Sequence, residues 1–187
     1  GYRHVHVIIA NVAHAVRIAK SVRLPVGYEP GQGFDVAAEL VRGAIDEAGT
    51  DPSRILGVGV SVPGPFDTRR GVPHSGMPSP WSVIPVAAEL GARLGLPVLA
   101  DGDTKLGALA ERRWGAARGR DEFVYMKLPG GVGGAFVSNG QLARGATGGA
   151  GEIGHLIVDA NGPLCRCGNR GCLETFVGLP VVMRALE

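Results

Sequence analysis

The sequence predicts an α/β protein, on two observations. Up to Trp114, apolar runs of strand length alternate with helical periodicity in the order strand, helix, strand, helix, strand, helix. After Arg120 the pattern changes to short strands joined by glycine-rich and Asn-Gly turns. The first region therefore predicts a parallel sheet with helices, and the second predicts another lobe that opens with β-hairpins.

The first elements are strands and an amphipathic helix. The stretch from Gly1 to Ala10 turns from polar to β-rich, and 22–26 is expected to be an edge strand of the same antiparallel meander because it contains Pro25. Apolar residues recur at helical spacing from Phe34 to Ala48, and Gly49 follows them. This pattern predicts a helix that ends at the glycine.

Two buried strands are predicted around a second helix. The apolar run 55–62 ends in Pro63-Gly64-Pro65, which is typical of a strand leading into a rigid loop. The elements expected next are a helix over 84–94 that ends at Gly95, a strand over 96–100 and a helix over 104–114.

The second lobe is expected to begin near residue 119. The strands predicted there cover 122–128, 135–138 and 141–142, with a tight turn at Asn139-Gly140. We therefore expect an N-terminal lobe over 1–118 and the start of a C-terminal lobe over 119–187.

Composition narrows the possible functions. The chain has 187 residues, a formal net charge of +2 and no extended basic face, which argues against nucleic-acid binding by this chain alone. It contains neither a run of about 18 apolar residues nor the pattern of a signal peptide. These features predict a cytoplasmic protein with no membrane partner.

The strongest local signal is a cluster of metal-ligating residues. His155 is followed ten residues later by Cys165, Cys167 and Cys172. Three thiolates and one imidazole form a tetrahedral set suited to Zn²⁺, and four protein ligands leave no open position for water. The pattern therefore predicts a structural zinc site. The alternative is three buried free cysteines beside an unrelated histidine.

The segment from Gly151 through Cys165-Arg166-Cys167 to Glu174 resembles the signature of the ROK family, which joins bacterial sugar repressors with sugar kinases. The resemblance extends over nearly the whole chain, because Pro63-Gly64-Pro65, the stretch 101–111 and the glycine run 130–134 follow in the family's order. The zinc signature is specific, whereas the glycine run alone is a weak signal.

This resemblance implies an actin-like/ribonuclease H-like, two-lobed sugar kinase fold with mixed sheets flanked by helices and the ligand between the lobes. Family chains are longer than this one. We therefore expect the chain to lack the beginning of its first strand, any N-terminal helix-turn-helix and the closing helices. Likeness to the family also favours a homodimer or homotetramer that contacts DNA through the missing helix-turn-helix.

The resemblance also implies a set of sugar-binding residues, for which other interpretations exist. Glu152 could be a solvated loop carboxylate, Glu174 could start a helix, and Asp103 could cap the helix that follows it. His155 would bind the metal through one ring nitrogen and the sugar through the other. The full set implied is Gly64, Asp103, Glu152, His155 and Glu174.

Asp103 is the residue that would decide whether this chain is an enzyme. In the kinases that this sequence resembles, the matching aspartate is the general base that activates a sugar hydroxyl toward ATP and Mg²⁺. Family kinases carry asparagines where this chain has Gly102 and Lys105. These two departures weaken the resemblance to a kinase.

Both turns that face ATP in the kinases also differ here. Gly1-Tyr2-Arg3-His4 replaces the small residues of the first turn, while Gly130 stands where kinases carry threonine and Pro129 removes an N–H donor. If the chain were a kinase, the nucleotide phosphates would be bound by Gly131, Gly133 and Gly134.

The stretch 1–6 is instead similar to the repressor branch, where a bulky, histidine-rich turn is common. The favoured function is therefore the sugar-binding effector domain of a ROK transcriptional regulator. The first alternative is an ATP-dependent hexose or N-acetylhexosamine kinase with Asp103 as its base. The second is a vestigial pocket on a domain that serves oligomerisation or protein docking.

Overall fold

The computed structural model describes residues 4–25, 27–73, 80–128 and 130–186. The strands are β1 (His4–Ala10), β2 (Val16–Arg23), β3 (Val58–Val62), β4 (Phe66–Asp67), β5 (Val72–Pro73), β6 (Val98–Gly102), β7 (Phe123–Lys127), β8 (Gly133–Ser138) and β9 (Gln141–Leu142). The α-helices are α1 (Pro30–Glu47), α2 (Val86–Leu94), α3 (Asp103–Trp114), α4 (Glu174–Val177) and α5 (Leu179–Ala185). Short 3₁₀ helices cover Pro52–Arg54, Pro80–Val83 and Ile153–His155.

The first hairpin pairs β1 with β2 in antiparallel register, with His4 opposite Arg23. Its turn is fixed by Asn11, whose side-chain oxygen accepts the N–H groups of Ala13 and Ala15 at 3.0 Å each. The chain therefore reverses early, and the strand predicted over 22–26 is wrong because Arg23 already ends β2. Residue 26 lies outside the described residues.

The helix α1 agrees with its predicted periodicity but starts earlier, at Pro30. Proline suits the first turn of a helix, and the Glu29 N–H donates to Gln32 Oε1 at 3.2 Å. Gly49 follows the helix at φ +58°. The buried face of α1, which packs on β1, β2 and α2, comprises Pro30, Gly33, Phe34, Ala38, Val41, Ala44 and Ile45.

The elements β3, α2 and β6 lie close to their predicted positions. Gly95 ends α2 in the left-handed conformation, at φ +66°. The strand β6 is shifted toward Gly102, so Asp101 belongs to the strand. Among the described residues, β1 and β2 form one two-stranded sheet, and β3 and β6 form another. The single parallel sheet predicted for this region is therefore not observed.

The hairpins predicted after residue 120 are confirmed. β7, β8 and β9 form a three-stranded antiparallel sheet, with Phe123 opposite Val137 and Lys127 opposite Gly133. The helix α3 packs on β7 and β8. The core between them comprises Ala108, Ala135 and Val137, with Phe123, Tyr125 and Leu142 packed against it.

The chain divides into two compact units. The first consists of 1–60 and 83–100, and the second of 61–82 and 101–187. Asp103, Glu152, His155, Glu174 and the three cysteines all belong to the second unit. None of the helices in the described ranges has the length and apolar character needed to cross a bilayer.

Candidate metal centre and ligand site

The structure brings the four predicted metal ligands together. His155 ends the short helix Ile153–His155, and the cysteines follow in the loop before α4. The ligand atoms of all four residues lie within 4.8 Å of one another. Cys165 Sγ lies 3.6 Å from His155 Nδ1, and Cys167 Sγ lies 3.6 Å from Cys172 Sγ.

Backbone turns fold the cysteine loop back on itself. The Cys165 N–H donates to the Asn169 carbonyl at 2.7 Å, and the Gly168 N–H donates to the Cys165 carbonyl at 3.0 Å. Gly171 has φ +63°, and a Cβ there would collide with the Asp159 carbonyl. Glycine at this position therefore lets Cys172 return to the other thiols.

The cluster fits a tetrahedral metal ion. Ligand bonds of about 2.3 Å to sulfur put tetrahedral ligand atoms roughly 3.7 Å apart, close to both separations observed here. Burial and the neighbouring thiols raise the pKa of Cys172 to about 12. Burial also opposes ionisation of Cys167, but hydrogen bonds from Asn169 and the other thiols lower its pKa overall. The cluster could thus hold a thiolate-binding metal, such as zinc.

Asp103 is the first residue of α3, and its carboxylate is already bound by the protein. Oδ1 accepts the N–H groups of Thr104 at 2.8 Å and Gly64 at 3.4 Å, while Oδ2 accepts the Lys127 ammonium. The residue that caps α3 is Gly102, not Asp103. The structure thus brings two predicted sugar-site residues, Gly64 and Asp103, into contact.

Glu174 is the first residue of α4, and its carboxylate binds two other parts of the chain. Its Oε2 accepts the Val132 N–H at 2.9 Å. Arg166 binds the same carboxylate at both oxygens, through Nε at 2.8 Å and Nη2 at 2.9 Å. Glu174 therefore does more than start a helix, because it joins the cysteine loop to the glycine run.

Glu152 differs from the other two carboxylates. It precedes the helix Ile153–His155, and its side chain accepts no hydrogen bond within the described part of the chain. Burial raises the pKa of Glu152, while the positive charge of Lys105 opposes this rise. Glu152 is therefore not a fully solvated loop carboxylate, and its oxygens are available to accept hydrogen bonds from a ligand.

The glycine run predicted to bind nucleotide has two of its amides engaged within the protein. The Val132 N–H donates to Glu174, and the Gly134 N–H donates to the Gly151 carbonyl at 2.8 Å. Gly133 and Gly134 begin β8, while Gly131 lies in the turn before it at φ +128°. Pro129, which the sequence suggested as a missing donor, lies outside the described residues, as do residues 1–3 of the first predicted phosphate turn.

Three cations of this site were missed as site residues. Lys127 pairs with Asp103 and Arg166 pairs with Glu174, while the positive charge of Lys105 lies near enough to Glu152 to oppose the rise of its pKa. A fourth pair joins Arg144 to Asp101 at 2.6 Å. Lys105 did stand out in the sequence as a departure from asparagine, and its position two residues beyond Asp103 was the available signal.

The metal cluster, the neighbouring carboxylates and the α/β fold define an actin-like, two-lobed protein of the sugar kinase and regulator class. The solved ROK hexokinase of Thermus thermophilus matches all of this chain and 60% of its own, with a TM-score of 0.77 and 31% identity. The ROK family profile matches residues 32–185, and the chain belongs to the ROK family.

The relatives include both repressors and kinases. The chain is 30% identical to the xylose repressor of Bacillus subtilis over 156 residues, which cover 82% of this chain and 40% of the repressor. It is 38% identical to the glucokinase of Thermotoga maritima over 131 residues, which cover 70% of this chain and 41% of the kinase. The chain thus spans about two fifths of the length of each relative.

Proposed function

We propose that this chain is the sugar-binding effector domain of a ROK-family transcriptional regulator. The observation that carries the proposal is the engagement of Asp103, the only predicted catalytic residue, with Lys127 and two backbone amides. The xylose repressor relative supports the assignment. DNA binding is assigned to a helix-turn-helix segment outside these 187 residues.

The contacts of Asp103 favour holding a ligand over catalysing phosphoryl transfer. A carboxylate offers about four acceptor positions, and three donors already occupy this one. One position is left for a sugar hydroxyl. A general base must also take the proton of that hydroxyl, yet the Lys127 ammonium occupies the Oδ2 oxygen that has the remaining acceptor position.

The glycine run supports the same proposal. A nucleotide phosphate is commonly held by several backbone N–H groups that point into one turn. Here Glu174 already accepts the N–H of Val132, and Gly151 accepts that of Gly134. The turn therefore offers fewer free donors to a phosphate, and Arg166 lies against Gly131 beside it.

Glu152 supplies the open acceptor that a sugar requires. Vicinal hydroxyls are bound well by charged groups, because charge-assisted hydrogen bonds are stronger than neutral ones. Glu152 is half-buried and accepts no other hydrogen bond from the described residues. We assign sugar binding to Glu152 with His155, Asp103, Glu174 and Gly64.

Zn²⁺ is the metal that we assign to His155 and the three cysteines. It would be structural, because four protein ligands leave no position for a reacting water. When bound, it would fix the ring of His155 so that Nε2 can meet the sugar if Nδ1 faces the metal. Sugar binding would then shift the population of lobe arrangements in a homodimer or homotetramer in the cytoplasm.

The alternative function is an ATP-dependent sugar kinase. The similarity to the Thermotoga maritima glucokinase favours it, and Asp103 is present at the position of the general base. On this alternative, Lys127 would have to leave Asp103 before catalysis, and Gly131, Gly133 and Gly134 would receive the ATP phosphates with Mg²⁺.

One pair of measurements tests the proposal. Calorimetry of the purified protein against a panel of hexoses, pentoses and N-acetylhexosamines should show binding of at least one sugar. Glu152→Gln should weaken that binding by about 1–1.5 kcal/mol, because a charged acceptor is replaced by a neutral one. With ATP and Mg²⁺, no sugar in the panel should be phosphorylated.

The controls separate the alternatives. Arg118→Gln, on the surface after α3, changes one charge away from the assigned sugar ligands and should leave sugar affinity unchanged. Phosphorylation that disappears in Asp103→Asn would establish the kinase and overturn the regulator. If the protein binds no sugar, the result would instead favour the alternative in which the pocket is vestigial and the domain serves oligomerisation or protein docking.

A further inference from the structure

Lys105 is a charged residue buried inside the second unit. It lies in the first turn of α3 and is only 3% exposed. Its ammonium donates to the Gly134 carbonyl at 3.3 Å and to the Ala150 carbonyl. The side chain thus joins a strand to a segment that is distant in sequence.

That segment, Gly149–His155, carries Glu152 and leads to the metal ligand His155. It lies directly on the start of β8, where the Gly134 N–H donates to Gly151. Side chains at Gly151 and Gly154 would collide with the carbonyls of Gly134 and Val132. Since the two backbones touch without intervening side chains, the ammonium of Lys105, which extends from α3, can donate to carbonyls of both.

Of the three carboxylates whose charge acts on Lys105, Glu152 is the one that has no ion pair of its own among the described residues. Asp101 is paired with Arg144, and Asp103 is paired with Lys127. Glu152 has no such pair among the described residues, and its attraction is the largest favourable effect on the buried Lys105 charge. Burial lowers the pKa of Lys105 and raises that of Glu152, and the charge of each group opposes the shift of the other.

We propose that Lys105 is a positioning residue, which fixes Gly149–His155 on β8 through two carbonyls and holds Glu152 where a ligand meets it. The inference rests on the proposed sugar site for its functional consequence. Lys105 does not itself touch the ligand, because its ammonium is enclosed by the backbone of both segments.

The test compares Lys105→Met with Lys127→Met in the purified, zinc-loaded protein. Each variant loses one lysine of the second unit. Lys105 donates to the Ala150 carbonyl, whereas Lys127 binds Asp103. Amide exchange over 150–155 should become faster in Lys105→Met and stay unchanged in Lys127→Met. Affinity for the sugar found by calorimetry should fall by at least about tenfold in Lys105→Met, with zinc stoichiometry retained.

A second variant separates positioning from simple charge burial. In Lys105→Met/Glu152→Gln the unpaired carboxylate is gone, but the two carbonyl contacts are still missing. Fast exchange over 150–155 in this double variant supports positioning, whereas a return to the exchange of Glu152→Gln overturns it. If Lys105→Met does not fold, Lys105→Gln replaces it, and its shorter side chain should also speed exchange.

The two proposals can fail separately. Absence of sugar binding by the unsubstituted protein would defeat the proposed function, while the exchange measurement would still decide the role of Lys105. Unchanged exchange over 150–155 in both Lys105→Met and Lys105→Gln would overturn the positioning role, even if a sugar binds.

Discussion

Individual buried polar groups determine the properties of the candidate site. Cys165 and Cys172 are buried, and burial together with the neighbouring thiols raises the pKa of Cys172 to about 12. A thiol with this pKa is protonated near neutral pH, so a metal must displace its proton to bind. We expect metal binding by this loop to release protons and therefore to weaken as the pH falls.

Cys167→Ser should remove one ligand and leave the metal undercoordinated. We expect zinc stoichiometry to fall and the free energy of unfolding to drop by at least about 3 kcal/mol, which lowers Tm by roughly 6–12 °C for a chain of this length. Elemental analysis and thermal unfolding measure both effects, with Arg118→Gln as a control that keeps every ligand. Full zinc content in Cys167→Ser would show that the ligand set is wrong.

The sequence predicted the clustering of His155 with the three cysteines better than the ion pairs, for a physical reason. His155 and the three cysteines lie within 18 positions, so their spacing alone indicates a shared ion. Lys127 and Asp103 are 24 residues apart and meet only because β7 packs on α3. The role of Lys105 depends on a backbone contact between β8 and Gly149–His155, which has no sequence pattern.

Helix ends and turns in this fold depend on local backbone chemistry. The helix α1 was predicted from its periodicity because one face is continuously apolar. The strand β2 was missed because Arg17, Lys20 and Arg23 interrupt its apolar residues. Its start is set instead by the Asn11 turn, where one side-chain oxygen accepts two backbone N–H groups.

The end of α2 offers a test of such a local rule. Gly95 has φ +66°, and nothing lies within 4 Å of a Cβ placed there. Gly95→Ala should therefore destabilise the protein by about 1–2 kcal/mol through backbone strain alone. Denaturant unfolding measures this change.

Gly43→Ala is the matched control, since Gly43 lies within α1 and a Cβ there meets only Lys20 Nζ, at 3.9 Å. This variant should stabilise the protein by roughly 0.5–1 kcal/mol, because alanine favours the helix interior. Equal effects of the two substitutions would contradict a conformational origin.

The molecule as a whole concentrates its candidate chemistry in one of its two units. Unit one buries the α1 face and the apolar residues Val86 and Leu90 of α2. Unit two contains the candidate metal ligands, the carboxylates and their cations, and an apolar core formed by α3, β7 and β8, together with the buried polar residues Asp67, Asp101, Thr104 and Lys105. We expect this unit, which carries the assigned zinc ligands, to depend on the metal for part of its stability, because structural metal binding contributes folding free energy.

Removal of the metal should therefore act unevenly. After treatment with a strong zinc chelator, amide exchange over 153–175 should accelerate on the order of a hundredfold, which corresponds to about 3 kcal/mol of lost local stability. The amides of α1, which belongs to the first unit, should keep their protection because their buried partners are β1, β2 and α2. Hydrogen exchange followed by mass spectrometry resolves the two regions in one sample, and Cys167→Ser without chelator should reproduce the pattern. Loss of protection in α1 to the same degree as in 153–175 would mean that the metal holds both units as one cooperative body.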